Sequence, residues 1–574
     1  MNISTAGRSF QLLTRIFDTK TATEPILPPI AEKISLPLRP AEHPFPRVTP
    51  ESEGIPSDHI RKFLEELGRG SDLCMQNVLI LRHGKVLCSA AYGAQIQYAP
   101  KYTFSACKSV TSLAIGLLMD DGLLRAEDTV ADIFAEEITP AIQRRLKNLT
   151  VEDLLTMRSG IQFSELQTQT ENDWLRGIFS EALSFEPGAQ FQYNSLNTYL
   201  LSSIVSRISG MSLSSFLKKR LFDPMGITDT FWECCPAGIE KGGWGLYIRP
   251  EDMAKLGQLV MMNGVWNGRK LLSRAYIAAA TGARATPPEG TGDFNYGYQI
   301  WVGQKENTFL FNGMLGQNVL GFRDSGILIV TNAGADTDYQ ESRYFEIVSR
   351  YFGGSFPTTL PEDPEAQERL HQTIRELSFY NRAAIPLDKH AALFLDRSFR
   401  IADEHAASTG LLPVMLQIVH NCYTAGLTGI AISTKGLHPE LIYREQNMTY
   451  RLPIGLGTPL ITELCFGGNY FHVAAHGRFT HDEEERPVFY IRLDFLETPC
   501  VRILKLFRTE EGILLKQTET PGASYLARKL RAAAAQPLYK PVLLVATGGS
   551  EDDFLLYKSR RIMSPEIRML TENR

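Results

Sequence analysis

The chain reads as an α+β protein in two main units. The first is an antiparallel sheet backed by terminal helices, with a helical lobe inserted; the second is a strand-rich, barrel-like C-terminal part. Three observations predict this. Apolar residues alternate at both ends of the first unit but recur at helical spacing in its middle. A Gly- and Pro-rich stretch, Gly353-Gly354-Ser355-Phe356-Pro357-Thr358-Thr359-Leu360-Pro361, then interrupts the pattern. Beyond it, short apolar runs return at regular spacing with turn residues between them. At 574 residues the chain also exceeds one ordinary core.

Residues 1–45 hold six prolines, from Pro25 to Pro44, with Pro46 just beyond, and read as an arm rather than a domain. A short helix is expected at 57–66. A hairpin follows, Asn77-Val78-Leu79-Ile80-Leu81 and Val86-Leu87-Cys88-Ser89-Ala90 joined at His83-Gly84. Residues 109–118 are small or apolar throughout and predict a buried helix, with Ser105 at its N-terminal end. The helical lobe includes Val151-Glu152-Asp153-Leu154-Leu155, a long helix near 197–208 and another at 250–262. Strands return at Tyr298-Gln299-Ile300-Trp301-Val302, Thr308-Phe309-Leu310-Phe311, Asn318-Val319-Leu320-Gly321-Phe322 and Gly326-Ile327-Leu328-Ile329-Val330, and a helix at 338–352 closes the unit. The expected division is therefore an arm at 1–45, a first domain at 46–352, a linker at 353–363 and an accessory domain at 364–574. The last begins with a helix near 365–379 and continues in strands such as Val488-Phe489-Tyr490-Ile491-Arg492-Leu493.

Composition narrows the function. A formal net charge of −5 gives no reason to expect a nucleic-acid partner. No run of about 18 apolar residues appears, so no membrane span is expected. The first residues, Met1-Asn2-Ile3-Ser4-Thr5-Ala6-Gly7-Arg8, lack a basic stretch followed by an apolar core, and no export signal is read there. Eight scattered cysteines, at 74, 88, 107, 234, 235, 422, 465 and 500, form no zinc or disulfide pattern. They read as reduced thiols, and the expected location is cytoplasmic. His472, His476 and His481 cluster in the accessory domain; without cysteine partners they read as strand residues, and no metal is expected.

Chemistry concentrates at Ser105-Ala106-Cys107-Lys108. Positions three apart share a helix face, so the lysine amine can reach the serine hydroxyl. A serine needs a neighbour to take its proton, and a desolvated lysine can do so near neutrality. A second copy, Ser215-Phe216-Leu217-Lys218, precedes Lys219 and Arg220 on a solvated helix and carries little weight. Before residue 370 the only histidines are His43, His59 and His83, and no Gly-x-Ser-x-Gly elbow exists. A Ser-His-Asp triad is therefore hard to build in the first domain. Tyr193, in Tyr193-Asn194-Ser195-Leu196-Asn197, can shuttle a proton beside a lysine. Phe311-Asn312-Gly313-Met314-Leu315-Gly316 ends a strand with glycines that let backbone approach a substrate carbonyl.

These three elements, in this order, resemble those of the serine β-lactamase and penicillin-binding-protein-like superfamily, in its class C β-lactamase-related part. Within it the chain is similar to the branch of 6-aminohexanoate-dimer hydrolases and related esterases. The stretches Phe45-Pro46-Arg47-Val48-Thr49-Pro50-Glu51, 149–160 and Gly243-Trp244-Gly245-Leu246-Tyr247 extend the likeness over residues 45 to 352. The resemblance implies a β-lactamase/transpeptidase-like fold with a lipocalin-like C-terminal barrel. By it, Ser105 is the acylated nucleophile, Lys108 its base and Tyr193 the proton shuttle. It also implies an oxyanion hole from the backbone N–H groups of Ser105 and Met314, and substrate contacts from Ser195, Asn197, Phe311, Asn312 and Gly313. No cofactor is implied, and the partner is a small-molecule ester or amide. The third element departs from the family's Lys-Thr-Gly or His-Thr-Gly: it aligns as Phe311-Asn312-Gly313, with Met314-Leu315-Gly316 as the other register, and both lack the cation that meets a β-lactam carboxylate. Three readings stay open: an esterase or amidase, a β-lactamase or D-peptidase, and a catalytically weak scaffold.

Overall fold

A computed structural model of the chain describes residues 32–534 and 551–572, except 71, 166, 170, 305–306, 337–341, 384, 386, 388, 404–409 and 447. These residues form two compact units. Among the described residues, one comprises Leu36–Ala91 with Ile96–Arg375; the other comprises 32–35, Tyr92–Gln95 and those that follow from Glu376. The linker and most of the helix after it are grouped with the first unit. Contacts explain this: Arg82 donates to Phe356 O and Pro357 O at 3.2 and 2.7 Å, and Arg369 pairs with Asp58 at 3.0 Å.

In the first unit, helix α1 (Ser57–Gly68) precedes the hairpin β1 (Met75–Arg82) and β2 (Lys85–Ala91). Helices α2 (Cys107–Asp120), α3 (Ser195–Ser209) and α4 (Pro250–Met261) dominate the middle. Strands β3 (Phe294–Tyr296), β4 (Trp301–Gly303), β5 (Thr308–Gly313), β6 (Gln317–Phe322) and β7 (Ile327–Ala333) follow, then α5 (Arg343–Phe352) and α6 (Pro364–Leu377). The sheet runs β2-β1-β7-β6-β5-β4-β3, antiparallel throughout. Strands β5, β6 and β7 are buried at every position because helices cover both faces. Phe309, Phe311, Val319, Leu328 and Val330 point to one side and join the core around α2, α3 and α4. The alternate residues point to the other side, where Tyr344 and Phe345 of α5 share a cavity with Asn312, Asn318 and Thr331.

The expected strand at 298–302 is shorter, starting at Trp301, because Gln299 adopts a left-handed φ of 59°. Helix α2 is buried on all sides from Cys107 to Leu118. Val110, Leu113, Ala114, Ile115 and Leu118 are fully enclosed, and its hydroxyls find partners, Ser109 donating to Gln299 O, Thr111 to Gly242 O and Ser112 to Tyr298 O. Ser105 lies just before it, in the 3-10 turn Phe104–Ala106. Helix α3 is capped by the Asn194 side chain, which accepts from Leu196 N, and it ends at Gly210 with φ 67°.

The second unit holds an eleven-stranded, barrel-like sheet built from strands between Arg397–Ile401 and Glu566–Thr571. Burial alternates along strands such as Glu440–Glu445 and Gly512–Thr520, so one face is internal. Leu411 and Leu412 are fully buried against that face. Leu411 N donates to Glu445 at 2.7 Å, and Arg502 donates to Leu412 O at 3.0 Å while pairing with Glu519 at 2.9 Å. No single helix among the described residues is long and apolar enough to cross a membrane.

Candidate active site

Ser105 reaches the site through a strained turn. Phe104, immediately before it, has φ 46°, a left-handed conformation costly for a bulky residue. Edge-on packing against Tyr102, at 4.5 Å between ring centroids, helps hold it there. The turn leads directly into α2, whose first turn carries Lys108.

The Lys108 ammonium is buried and fully committed. It donates to Ser105 Oγ at 2.9 Å, Ser195 Oγ at 2.7 Å and Gly243 O at 2.8 Å. Its Nζ also lies 5.0 Å from the centre of the Tyr193 ring. Burial pushes its pKa down from the usual lysine value to about 8, with Glu165 and Cys107 opposing that shift. An amine with this pKa is substantially neutral near pH 8, where it can accept the proton of the hydroxyl beside it. The second Ser-x-x-Lys behaves differently: the Lys218 side chain is 66% exposed and pairs with Asp223.

Tyr193 sits half-buried beside this lysine. Its ring stacks on Trp301 with centroids 5.9 Å apart and planes at 23°, and Trp301 is held edge-on by Tyr296 at 4.9 Å. With Phe191 they form an aromatic wall. Asn194 fixes the backbone next to Tyr193. Besides capping α3 it donates to Ile161 O and Phe163 O at 2.9 and 3.0 Å.

The third motif closes the other side. A Cβ on Gly313 would lie 2.2 Å from Thr103 O and 3.1 Å from Ala106 N, so only glycine lets β5 approach the Ser105 turn this closely. Met314 is the next residue after this close approach. Leu315 and Gly316 turn the chain back with φ 65° and 90°.

The structure thus gathers Ser105, Lys108, Tyr193, Ser195 and Gly313, with Met314 next in the chain. It does not bring in the remaining three. Phe311 is fully buried in the core beside Phe309 and presents no surface to a ligand. Asn312 points to the opposite face of the sheet and donates to Asn318 at 2.7 Å. Asn197 is buried, donating to Asn194 O at 3.0 Å. The early histidines are engaged elsewhere: His59 contacts Tyr351 O at 2.8 Å and His83 contacts Glu53 at 2.7 Å.

Two contributors escaped the sequence reading. Gly243 O accepts from Lys108; in the sequence Gly243 stands only as the first residue of the stretch Gly243–Tyr247 that extends the resemblance, with no role attached. A Cβ at Gly243 would lie 2.7 Å from Ser195 O. Gln299 is the other. Its side chain donates to Leu154 O and Leu155 O and accepts from Thr198, while its carbonyl accepts from Ser109. One buried residue, through its side-chain amide and its backbone carbonyl, therefore ties α2, α3 and the helix Val151–Leu155 together around the site.

The chain belongs to the beta-lactamase family, whose sequence profile matches residues 60–348. Among its relatives, the lovastatin esterase of Penicillium rubens is 29% identical over 189 residues, covering 28% of this chain and 47% of that protein. Protein flp of Staphylococcus aureus (strain COL) is 26% identical over 170 residues, covering 27% of this chain and 34% of that one. The chain thus spans less than half the length of these relatives. Among solved structures, a Bacillus anthracis protein assigned as a 6-aminohexanoate-dimer hydrolase aligns with a TM-score of 0.45 at 19% identity, covering 56% of this chain and 89% of that one.

Proposed function

We propose that this protein is a serine hydrolase that cleaves a carboxylic ester or amide in two steps through an acyl-enzyme on Ser105. The observation that carries this reading is the buried Lys108 amine, 2.9 Å from Ser105 Oγ and with its pKa lowered to about 8. Neutral Lys108 takes the Ser105 proton as Oγ bonds to the substrate carbonyl carbon, whose oxygen becomes an oxyanion. Backbone N–H groups of Ser105 and Met314 receive that charge. When the intermediate collapses, the leaving oxygen or nitrogen departs with a proton relayed from Lys108 by Tyr193. Water, deprotonated by the same pair, then releases the acid and restores Ser105.

Ester substrates without an acyl-side carboxylate suit this site best. Phe311 stands where penicillin-recognising relatives carry a cation, and its side chain is enclosed in the core. Phe191, Tyr193 and Trp301 offer an aromatic wall to an apolar group. The name of the Penicillium relative, an esterase, agrees with this choice. The test is hydrolysis of a nitrophenyl acetate by two single variants. Ser105→Ala loses several orders of magnitude in kcat, whereas Ser215→Ala retains wild-type activity. Equal residual activity in the two would remove Ser105 from the mechanism.

A further inference from the structure

The outer face of the second unit carries a group of cations that lacks matching carboxylates. His476 and Arg478 lie two apart on the strand Asn469–His481 and so share a face. The register places Arg492 opposite His476 and Tyr490 opposite Arg478. A turn just before the barrel adds Phe379 and Arg382. Phe379 packs on the His476 ring at 5.2 Å, and the Arg382 guanidinium lies 3.8 Å from the centre of the Phe379 ring.

Of the three arginines, only Arg492 is neutralised, by two 2.8 Å hydrogen bonds to Asp494. Arg382 and Arg478 are exposed, and neither has a carboxylate partner among the described residues. They are close enough that Arg478 depresses the ionisation of Arg382, after partial burial. His476 feels the same field. Burial and then Arg382 hold its imidazole below the ordinary value, Asp494 opposes, and Arg478 and Arg492 add to the depression. His476 is 4% exposed, yet its Nδ1 has no hydrogen-bond partner. A buried polar atom without a partner beside two uncompensated cations is an arrangement that a bound anion would relieve.

We propose that Arg382, Arg478 and His476 form a binding site for a small anion bearing a carboxylate or phosphate group. Both guanidinium groups present planar N–H donors suited to paired oxygens. The Phe379 ring lies against the Arg382 guanidinium and the Tyr490 ring against that of Arg478, 5.0 Å from its centre, so each side chain has less freedom to lose on binding.

The test is isothermal titration of the full chain with sodium phosphate and, separately, sodium acetate, at constant ionic strength against sodium chloride. One-site saturable binding is expected for at least one of the two. Acetate binding alone assigns a carboxylate ligand, and phosphate binding alone a phosphate. Arg382→Gln and Arg478→Gln each weaken it about tenfold or more, by the loss of a charge-assisted bond. Arg486→Gln, which removes an arginine paired with Asp482 on the same unit, leaves it unchanged. Both test arginines are on the surface, and circular dichroism verifies that the variants fold. Heats no different from chloride for both anions, or affinity unaltered in both folded glutamine variants, would overturn the proposal.

Discussion

Replacing Ser195 by alanine should move the acid limb of the pH–activity profile to lower pH. Ser195 Oγ is one of three acceptors around the Lys108 ammonium, at 2.7 Å, beside Ser105 Oγ and Gly243 O. A hydrogen bond to a charged group contributes roughly 1.5–3 kcal/mol, which is about one to two pKa units at 1.36 kcal/mol per unit. The bond favours the charged form, so its loss lowers the Lys108 pKa from about 8. Activity requires the free amine and rises as pH climbs through that pKa. In Ser195→Ala the rise should therefore come about one to two units earlier. The plateau of kcat/KM should fall roughly ten- to a hundredfold, because the amine loses one of the contacts that aim it at Ser105. The assay is initial-rate hydrolysis of a nitrophenyl ester from acid to mildly alkaline pH, corrected for spontaneous cleavage. A limb that stays in place or moves upward would refute the idea that Ser195 supports the charged lysine.

Gly313→Ala should lower kcat by about a hundredfold or more with the fold retained, since a Cβ there meets Thr103 O at 2.2 Å and pushes β5 away from the Ser105 turn; stopped-flow acylation kinetics check this. Phe311→Ala should cost about 3–5 kcal/mol of stability as a buried ring is lost from a packed core, read by urea unfolding, and should leave KM unchanged if Phe311 makes no substrate contact. Benzylpenicillin should be turned over at least about tenfold less efficiently than a simple ester, the cost of one missing charge-assisted hydrogen bond to its carboxylate. Competition assays against the nitrophenyl ester measure that ratio, and comparable efficiency would mean that a cation from elsewhere takes the place of Phe311.

Much of the site was readable because its signals are local. Ser105 and Lys108 lie one helical turn apart, as Ser215 and Lys218 do, and the small and apolar residues that follow mark the first pair as the one enclosed in the core, where the lysine meets the serine instead of solvent. Tyr193 was marked by its position just before the capped start of α3. Gly243 was missed because a carbonyl contact leaves no side-chain signature. Gln299 was missed because a polar residue inside an apolar run looks like the solvent side of a strand; instead its left-handed backbone ends that strand and buries the amide. Phe311 and Asn312 show a different limit. Alternation says that they face opposite ways, but which one faces the nucleophile depends on the pairing of β5 with β6, and register is a property of both strands. The arginine face of the barrel was likewise invisible, since Arg382 and Arg478 are almost a hundred residues apart in sequence.

Covalent trapping tests the central claim most directly. The protein is incubated with a serine-reactive aryl phosphonate at several pH values, its intact mass is followed, and the labelled peptide is sequenced. The account predicts a single adduct on Ser105, formed faster as pH rises through about 8, where Lys108 loses its proton, and absent from Ser105→Ala. An adduct on any other residue, or labelling of Ser105→Ala at the wild-type rate, would contradict it.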